Sequence, residues 1–553
     1  MRPWSFAEIE VWSFCNMDKK RIMHIAVTAA SALFLAFAVF TVLRFIISLG
    51  WADYHSDCAD TMLWAKAGID AGQIVSSDYK YAALLPFGGN LLFEPFVRAY
   101  GLSMNAQIMA MCLFLCLFTM AMVFFFRSFG YRLHVAFAGT AVFLLSMCAS
   151  KKLREIWWQH ILYYSLGIIF FLLIATAINH AIRALKKTGG YKKPLTWVPV
   201  GLGVLATFFA AANGMQIILL SVFPVMAALI GGIYLDGRSF VTKKNAPEYI
   251  CMGAVSLATV FGIIALIVVS HGVSAGYQTA YSRYSDMKEW TDNLLKFPNQ
   301  WFSLLGIEVK GTEDLISGVS ILIMIKLAFA IMLLIMPLVL LIRYKKLESD
   351  NLKYMTVAHF AMSAFVIFGY IFGKLSAANW RLIPVYSTAL ITCFMYIVER
   401  LKKLPRLAVP AGLVVLTFSI IGSACVYSLK ADDLEKNENY KLAQFLTEKG
   451  LTKGYATFWH SAVVTVFSNG QTHVVSVNVD DKGVEPYYYQ NEYAWFEDVP
   501  GQENYFLMLS KSEDSKVMTS GWAQIVMKAK EVYEQGGFYI YVFDKNLPFN
   551  DKK

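Results

Sequence analysis

The sequence predicts an α-helical polytopic membrane protein of about eleven spans that ends in a small α/β domain. Three observations carry the prediction. Hydrophobic residues make up 57% of the 553 and charged residues 16%, with mean hydropathy +0.49. That is too little charge to cover a soluble globule of this length. The apolar residues also come in blocks, and many blocks meet or approach the roughly 20 residues a helix needs to cross a bilayer core. Beyond residue 430 the blocks stop, and short strand-like runs alternate with amphipathic segments.

The predicted spans lie at 23–49, 106–126, 133–149, 161–182, 195–212, 215–235, 249–270, 318–342, 354–372, 382–398 and 407–428. The mixed segment 1–22 ends in Lys19, Lys20 and Arg21. The first apolar run is too long for a signal-peptide core, and no small-residue cleavage site follows it, so it reads as a retained span. Only a tight turn around Asn213 and Gly214 separates the fifth and sixth spans.

Charge sets the expected orientation. With the N-terminus in the cytoplasm, alternate loops carry Arg127–Arg132; Arg183, Lys186, Lys187, Lys192 and Lys193; Arg238, Lys243 and Lys244; Arg343, Lys345, Lys346 and Lys353; and Arg400, Lys402, Lys403 and Arg406. This is the positive-inside pattern of a plasma-membrane protein. The segments 50–105, 150–160, 213–216, 271–317 and 373–381, and the tail from 430 to 553, then face outward. The net charge of +10 sits in small clusters between apolar blocks, as in loops facing anionic lipid. It does not form one patch with interleaved aromatics, so the partner it implies is the bilayer and not nucleic acid. Most of the eight cysteines fall inside apolar blocks, and no disulfide framework is implied.

The domain organisation predicted is a cytoplasmic segment 1–22, a membrane domain 23–429 and an extracytoplasmic domain 430–553. In the tail, 438–449 fits an amphipathic helix. The runs 455–459, 473–477, 505–509 and 538–543 read as strands, and 520–535 as a helix.

The outward segments hold the residues equipped for chemistry. After the first span the chain reads His55-Ser56-Asp57-Cys58-Ala59-Asp60. Asp57 and Asp60, three apart, share one side of a helix that starts near Ser56. A carboxylate at the membrane surface can deprotonate an incoming hydroxyl. Both carboxylates with His55 can also hold a divalent cation, magnesium or manganese. The plainer alternative is that they cap the helix and complement its dipole. The segment 81–97, which includes Glu94, is apolar but broken by Pro86, Gly88, Gly89 and Pro95. It reads as an interfacial piece suited to a lipid-tailed substrate, or as a cover over the other helices.

Three cations, Lys151, Lys152 and Arg154, break the charge rule on the outward side. A phosphate or pyrophosphate ligand accounts for them, and so does plain headgroup contact. Trp157 and Trp158 fit an interfacial belt, with His160 beyond them. Arg381 opens a span with Pro384 in its first turn and Lys374 close by. It is a second phosphate-binding candidate, or a snorkelling anchor. The loop 271–317 carries Arg283, Asp286, Glu289 and Trp290 in no recognisable motif, with a helix expected to close over the site. Walker loops, His-Glu-x-x-His and Cys-x-x-Cys are absent.

This layout resembles the GT-C superfamily of membrane glycosyltransferases. Members have a first span, an outer loop opening on an acidic motif, surface helices, many further spans and often an outer C-terminal domain. Asp57 and Asp60 match the acidic motif in position. Arg381-Leu382-Ile383-Pro384 resembles the Arg-Tyr-x-x-Pro element of the protein-mannosyltransferase and aminoarabinose-transferase branch, with Leu382 in place of the tyrosine. The resemblance implies an enzyme of the bacterial cell envelope. It would move a sugar from a polyprenyl-phosphate donor to an extracytoplasmic glycan, lipid or protein acceptor, with inversion. Asp57 would act as general base beside Asp60, and Lys151, Arg154, Lys374 and Arg381 would hold the donor phosphate. His55, Glu94, Trp157, Trp158 and His160 would flank the lipid and substrate. No cofactor follows beyond that divalent cation at Asp57 and Asp60. The rival readings are a lipid-linked glycan flippase, which needs the cations but not Asp57, and a non-catalytic membrane scaffold.

Overall fold

The structure is a computed structural model that describes residues 19–549 apart from 188–189, 236, 238–241, 274–281, 313, 376 and 402. Residues 1–18 of the expected cytoplasmic segment, and Arg238 and Lys402 of the basic loops, lie outside the described residues. Among the described residues, ten helices are long and apolar enough to cross a membrane, and one sharply bent helix pair, counted as a span, brings the number to eleven.

The first span, α1 (Lys19–Arg44), continues through a π turn, Phe45–Leu49, and a 3-10 turn, Gly50–Asp53. It runs directly into α2 (Ser56–Ala71), which Gly72 ends in the left-handed conformation at φ 63°. The broken apolar segment forms α3 (Gly89–Tyr100), an amphipathic helix too short to span. A Cβ at Gly89 would collide with Thr61 and the Ile161 carbonyl, so glycine lets α3 start flush against α2. The span α4 (Met104–Ser128) follows, capped by Ser103.

The third predicted span is α5 (Leu133–Ser146), and the outward segment after it forms a short helix, α6 (Lys151–Trp158), bent from α5 by 116°. At 14 residues, α5 covers only about 21 Å at 1.5 Å per residue. The break is fully bonded. Ser150 Oγ accepts from Leu153 N (3.1 Å) and donates to Leu304 O (2.6 Å), while Arg154 Nη1 donates to Cys148 O at 2.9 Å. These partners satisfy groups that helix ends leave open.

The remaining spans are α7 (Tyr163–Leu185), α8 (Trp197–Ala211), α9 (Phe223–Leu235, within the span Met215–Leu235) and α10 (Ala246–Val269). The loop 271–317 contributes α11 (Met287–Leu304). Then come α12 (Gly318–Ile342), α13 (Asp350–Phe372), α14 (Ile383–Arg400) and α15 (Pro405–Tyr427). The tight turn between α8 and α9 is present, with Gly214 at φ 91° and the Asn213 amide bonded to Phe87. Close helix crossings rely on small residues: a Cβ at Gly422 of α15 would collide with the Leu145 carbonyl of α5.

The two ends of the bundle differ. At one end basic loops pair among themselves, as Lys186 does with Glu248 (2.6 Å). At the other end the segment 50–105 meets the tail, and the described part of 271–317 meets the segment 373–381. Asn437 Nδ2 donates to Ala52 O (3.1 Å), Trp64 Nε1 to Gln490 Oε1 (2.7 Å), and Lys374 N to Arg283 O (2.9 Å).

The tail opens with α16 (Glu438–Glu448) and builds a six-stranded sheet: β1 (Lys453–Thr457), β2 (His473–Asp480), β3 (Gly483–Pro486), β4 (Tyr505–Ser510), β5 (Glu531–Gln535) and β6 (Phe538–Phe543). The order is β3-β2-β1-β4-β6-β5, with β1 parallel to β2 and β4 and the other pairs antiparallel. A short helix, α17 (Ala462–Phe467), links β1 to β2. Side chains alternate across the sheet. Ala456, Val474, Phe506 and Ile540 join the core shared with the bundle, whereas Tyr455, Val475, Leu507 and Tyr541 form a separate outer core.

The helix predicted over 520–535 is corrected here. The helix of this region is α18 (Lys511–Thr519), opened by a capping box between Ser510 and Glu513. Beyond a four-residue turn, Ala523–Val526, the chain enters β5. Gly536 and Gly537, at φ 56° and 82°, form the tight turn that pairs β5 with β6.

Candidate functional site

His55 occupies the N-cap position of α2 without a side-chain cap bond. Ser56 Oγ donates instead to Phe458 O of the tail, at 2.6 Å. Capping therefore does not account for the polar residues of this first turn. Asp57 is half-buried, and Asp60, one turn on, is 4% exposed with Oδ1 unpartnered. Burial first, then the charges of Asp57 and Cys58, push the Asp60 carboxyl well above the usual carboxylate range.

Arg381 belongs to a 3-10 turn, Asn379–Leu382, at the head of α14. It lines a cavity of about 550 Å³ between α7, α9 and α13. The walls include Tyr164, Gln216, Leu220, Phe365, Phe368 and Tyr370, and Arg283 stands at the rim. Phe368 is 49% exposed on the outside of the bundle, so the cavity reaches the lipid-facing surface. Tyr163, at the start of α7, lies within electrostatic reach of Arg381, Asp57 and Asp60.

The other predicted residues divide. Lys374 is exposed and its backbone is bonded to Arg283 at the cavity rim. Lys151 pairs with Asp53 at 2.7 Å. Lys152 pairs with Glu155 (2.7 Å) and lies 4.9 Å from the centre of the Trp380 ring. Arg154 is 7% exposed, bonded to Cys148 O and set over Phe45, where it braces the α5–α6 break. It is not among the residues lining the cavity. Glu94 pairs with Arg98 on α3 at 2.7 Å. Trp157 and Trp158 do not sit in a belt at the lipid boundary. Both are buried and packed against Phe118, because the bend before α6 turns them inward.

His55 and His160 meet at Cys58. Cys58 Sγ lies 3.3 Å from His160 Nε2, and one ligating atom from each of the three residues falls within 4.8 Å of the others. Burial disfavours a charged imidazole at His55, but the Cys58 sulfur and the Glu155 carboxylate outweigh it and hold His55 up to about 11. Burial likewise disfavours a thiolate at Cys58, and His160 and His55 overcome it, bringing the thiol down to about 7. Among the described residues, His55, Cys58 and His160 form a group whose ligating atoms lie close enough together to hold a metal ion.

Tyr164 and Tyr370 are cavity residues that the sequence does not single out, and it offers Arg283 only as one charge in a loop without a motif. No motif marks them. Arg283 reaches the rim only because the 271–317 loop pairs with the chain after α13, Tyr284 bridging to Gly373.

No protein-family description and no curated protein sequence matches the chain. Its architecture, a bundle of ten to eleven spans among the described residues with surface helices after the first and a terminal sheet domain, is shared with a solved membrane protein. The crystal structure of ArnT from Cupriavidus metallidurans in the apo state superposes with a TM-score of 0.52 at 10% sequence identity, over 94% of this chain and 98% of that one. The crystal structure of the same protein bound to undecaprenyl phosphate gives a TM-score of 0.48 at 10% identity, over 93% and 98%. At this identity the likeness establishes the fold.

Proposed function

We propose that this protein transfers a sugar from a polyprenyl-phosphate donor to an acceptor hydroxyl on the outer face of the plasma membrane. The observation that carries the reading is the cavity that opens to the lipid-facing surface and holds Arg381, with Tyr163 within electrostatic reach of Arg381, Asp57 and Asp60. An apolar wall beside a cation suits a phosphate on a lipid tail. A carboxylate within electrostatic reach of Tyr163 suits the incoming hydroxyl.

In this mechanism Asp57 takes the proton as the acceptor oxygen forms its bond to the anomeric carbon. The bond from that carbon to the donor phosphate oxygen breaks, and its electron pair leaves with the phosphate. Arg381, with Lys374 and Arg283 at the rim, neutralises the charge that develops there. A single displacement inverts the sugar carbon. The N-terminus then lies in the cytoplasm, the basic loops face inward, and the domain at 430–553 covers the site and contacts the acceptor.

The test is release of polyprenyl phosphate from labelled polyprenyl-phosphate sugars by purified protein. Wild type should turn over at least one common donor. Asp57→Asn should lower kcat about 10²- to 10⁴-fold, and Arg381→Ala about 10²-fold or more. An Asp57→Asn variant as active as wild type would remove the base from the mechanism. Absence of release with every donor would remove the reaction.

A further inference from the structure

The cluster at the start of α2 has the chemistry and spacing of a metal site that sugar transfer does not require. Cys58 and His160 are 1% and 2% exposed. In both histidines Nδ1 is buried without a partner, which leaves Nε2 as the atom engaged with the cluster. Cys58 Sγ lies 3.3 Å from His160 Nε2. Glu155 Oε1 lies 3.5 Å from His55 Nε2 and 3.8 Å from His160 Nε2. Zinc bonds nitrogen and oxygen at about 2.0–2.1 Å and sulfur at about 2.3 Å in a tetrahedron. The edges of such a tetrahedron run about 3.3–3.6 Å, by geometry from those bond lengths. The three measured separations match those edges to within a few tenths of an ångström.

We propose that His55, Cys58 and His160, with the Glu155 carboxylate alongside, bind one zinc-class cation that ties the first turn of α2 to the α6–α7 connection. A thiolate with two imidazoles selects a borderline-soft metal over magnesium or manganese, which prefer oxygen ligands. Entry runs past His55, whose side chain is 26% exposed. The Lys152 ammonium, already bonded to Glu155 at 2.7 Å, orients the carboxylate from behind, as outer-shell partners of metal ligands do. Asp57 is adjacent to Cys58 in the chain, so the cation would fix the turn that presents it. The inference rests on these side chains and not on the sugar-transfer reading.

Full-length protein in detergent, stripped with a chelator and re-equilibrated with zinc, should retain one equivalent per chain by elemental analysis. Magnesium and manganese should not be retained. Cobalt(II) substitution should give a thiolate-to-cobalt charge-transfer band in the near ultraviolet. Cys58→Ser should abolish that band and weaken zinc binding about 100-fold or more. His160→Gln should weaken binding comparably, and helical content by circular dichroism should show that both variants are folded. Bound zinc should also shield Cys58 from alkylation. Substoichiometric zinc in wild type, a cobalt spectrum without the charge-transfer band, or unchanged affinity in folded Cys58→Ser would each overturn the site. Each readout is independent of turnover, so an inactive protein that binds zinc, or an active one that does not, separates the two proposals.

Discussion

Gln490 is the residue through which the tail grips the first outer segment. It is 2% exposed and sits at φ 60°, a left-handed conformation that non-glycine residues seldom adopt. Its Oε1 accepts from Trp64 Nε1 (2.7 Å), Tyr79 OH (3.3 Å) and Ala82 N (3.4 Å). Its backbone N donates to Lys80 O at 2.9 Å. Gln490→Met keeps the size of the side chain and removes the acceptor. A buried indole N–H left without a partner costs about 1–3 kcal/mol, and the two longer bonds add about 0.5 kcal/mol each. The Gln490 Nε2 is itself buried and unpartnered, so its removal returns about 1 kcal/mol. The net loss is about 1–3 kcal/mol, which corresponds to about 5- to 150-fold in the equilibrium for local opening. Hydrogen exchange measured by mass spectrometry should show that acceleration in peptides covering 79–82 and 487–492. Peptides from α4 should exchange as in wild type. Acceleration under about threefold in the junction peptides would refute Gln490 as the clamp.

Two other perturbations follow from the same contacts. Burial, reinforced by Asp70 and opposed by Lys66, raises the Glu492 carboxyl to about 7. An unfolded glutamate titrates near 4.3, so the folded state binds the extra proton between those values. The stability contributed is present below about 4.3 and is lost as pH rises through about 7. Thermal melts should therefore fall between pH 5 and pH 8, and Glu492→Gln should flatten that dependence; a variant with the wild-type slope would show that other groups set it. Gly422→Ala drives a methyl into the Leu145 carbonyl. It should lower the melting temperature through a cost of about 1–3 kcal/mol or more. Gly253→Ala on α10 meets open space and should be neutral or stabilising by about 0.5–1 kcal/mol, and equal melting temperatures for the two variants would contradict the packing.

The membrane class, the positions of the spans and the strand character of 473–477, 505–509 and 538–543 were legible in the sequence. Each depends on residues close together in the chain: apolar run length for the spans, period-two alternation for the strands. The misread helix at 520–535 is a local failure as well. Val532 and Tyr533 fit a helix face as well as a strand, and the signal that decides between them is Gly536-Gly537, which lies just beyond the window.

The first outer segment and Arg381 also stood out in the sequence, because carboxylates and misplaced cations at a membrane surface need a cause. What each such residue does depended on the bend between α5 and α6. That bend commits Arg154 to a backbone carbonyl, buries Trp157 and Trp158, and carries His160 to Cys58 across 102 positions of sequence. Arg283 likewise reaches the cavity through a strand-like bridge to Gly373. By itself the sequence determined which segments are apolar, which are polar and which residue types each end of the bundle carries, since hydropathy and charge are properties of neighbours in the chain. Only the tertiary structure decided which cation lines the cavity, which braces a helix break and which side chains share a cluster, since those partners meet through packing between distant segments.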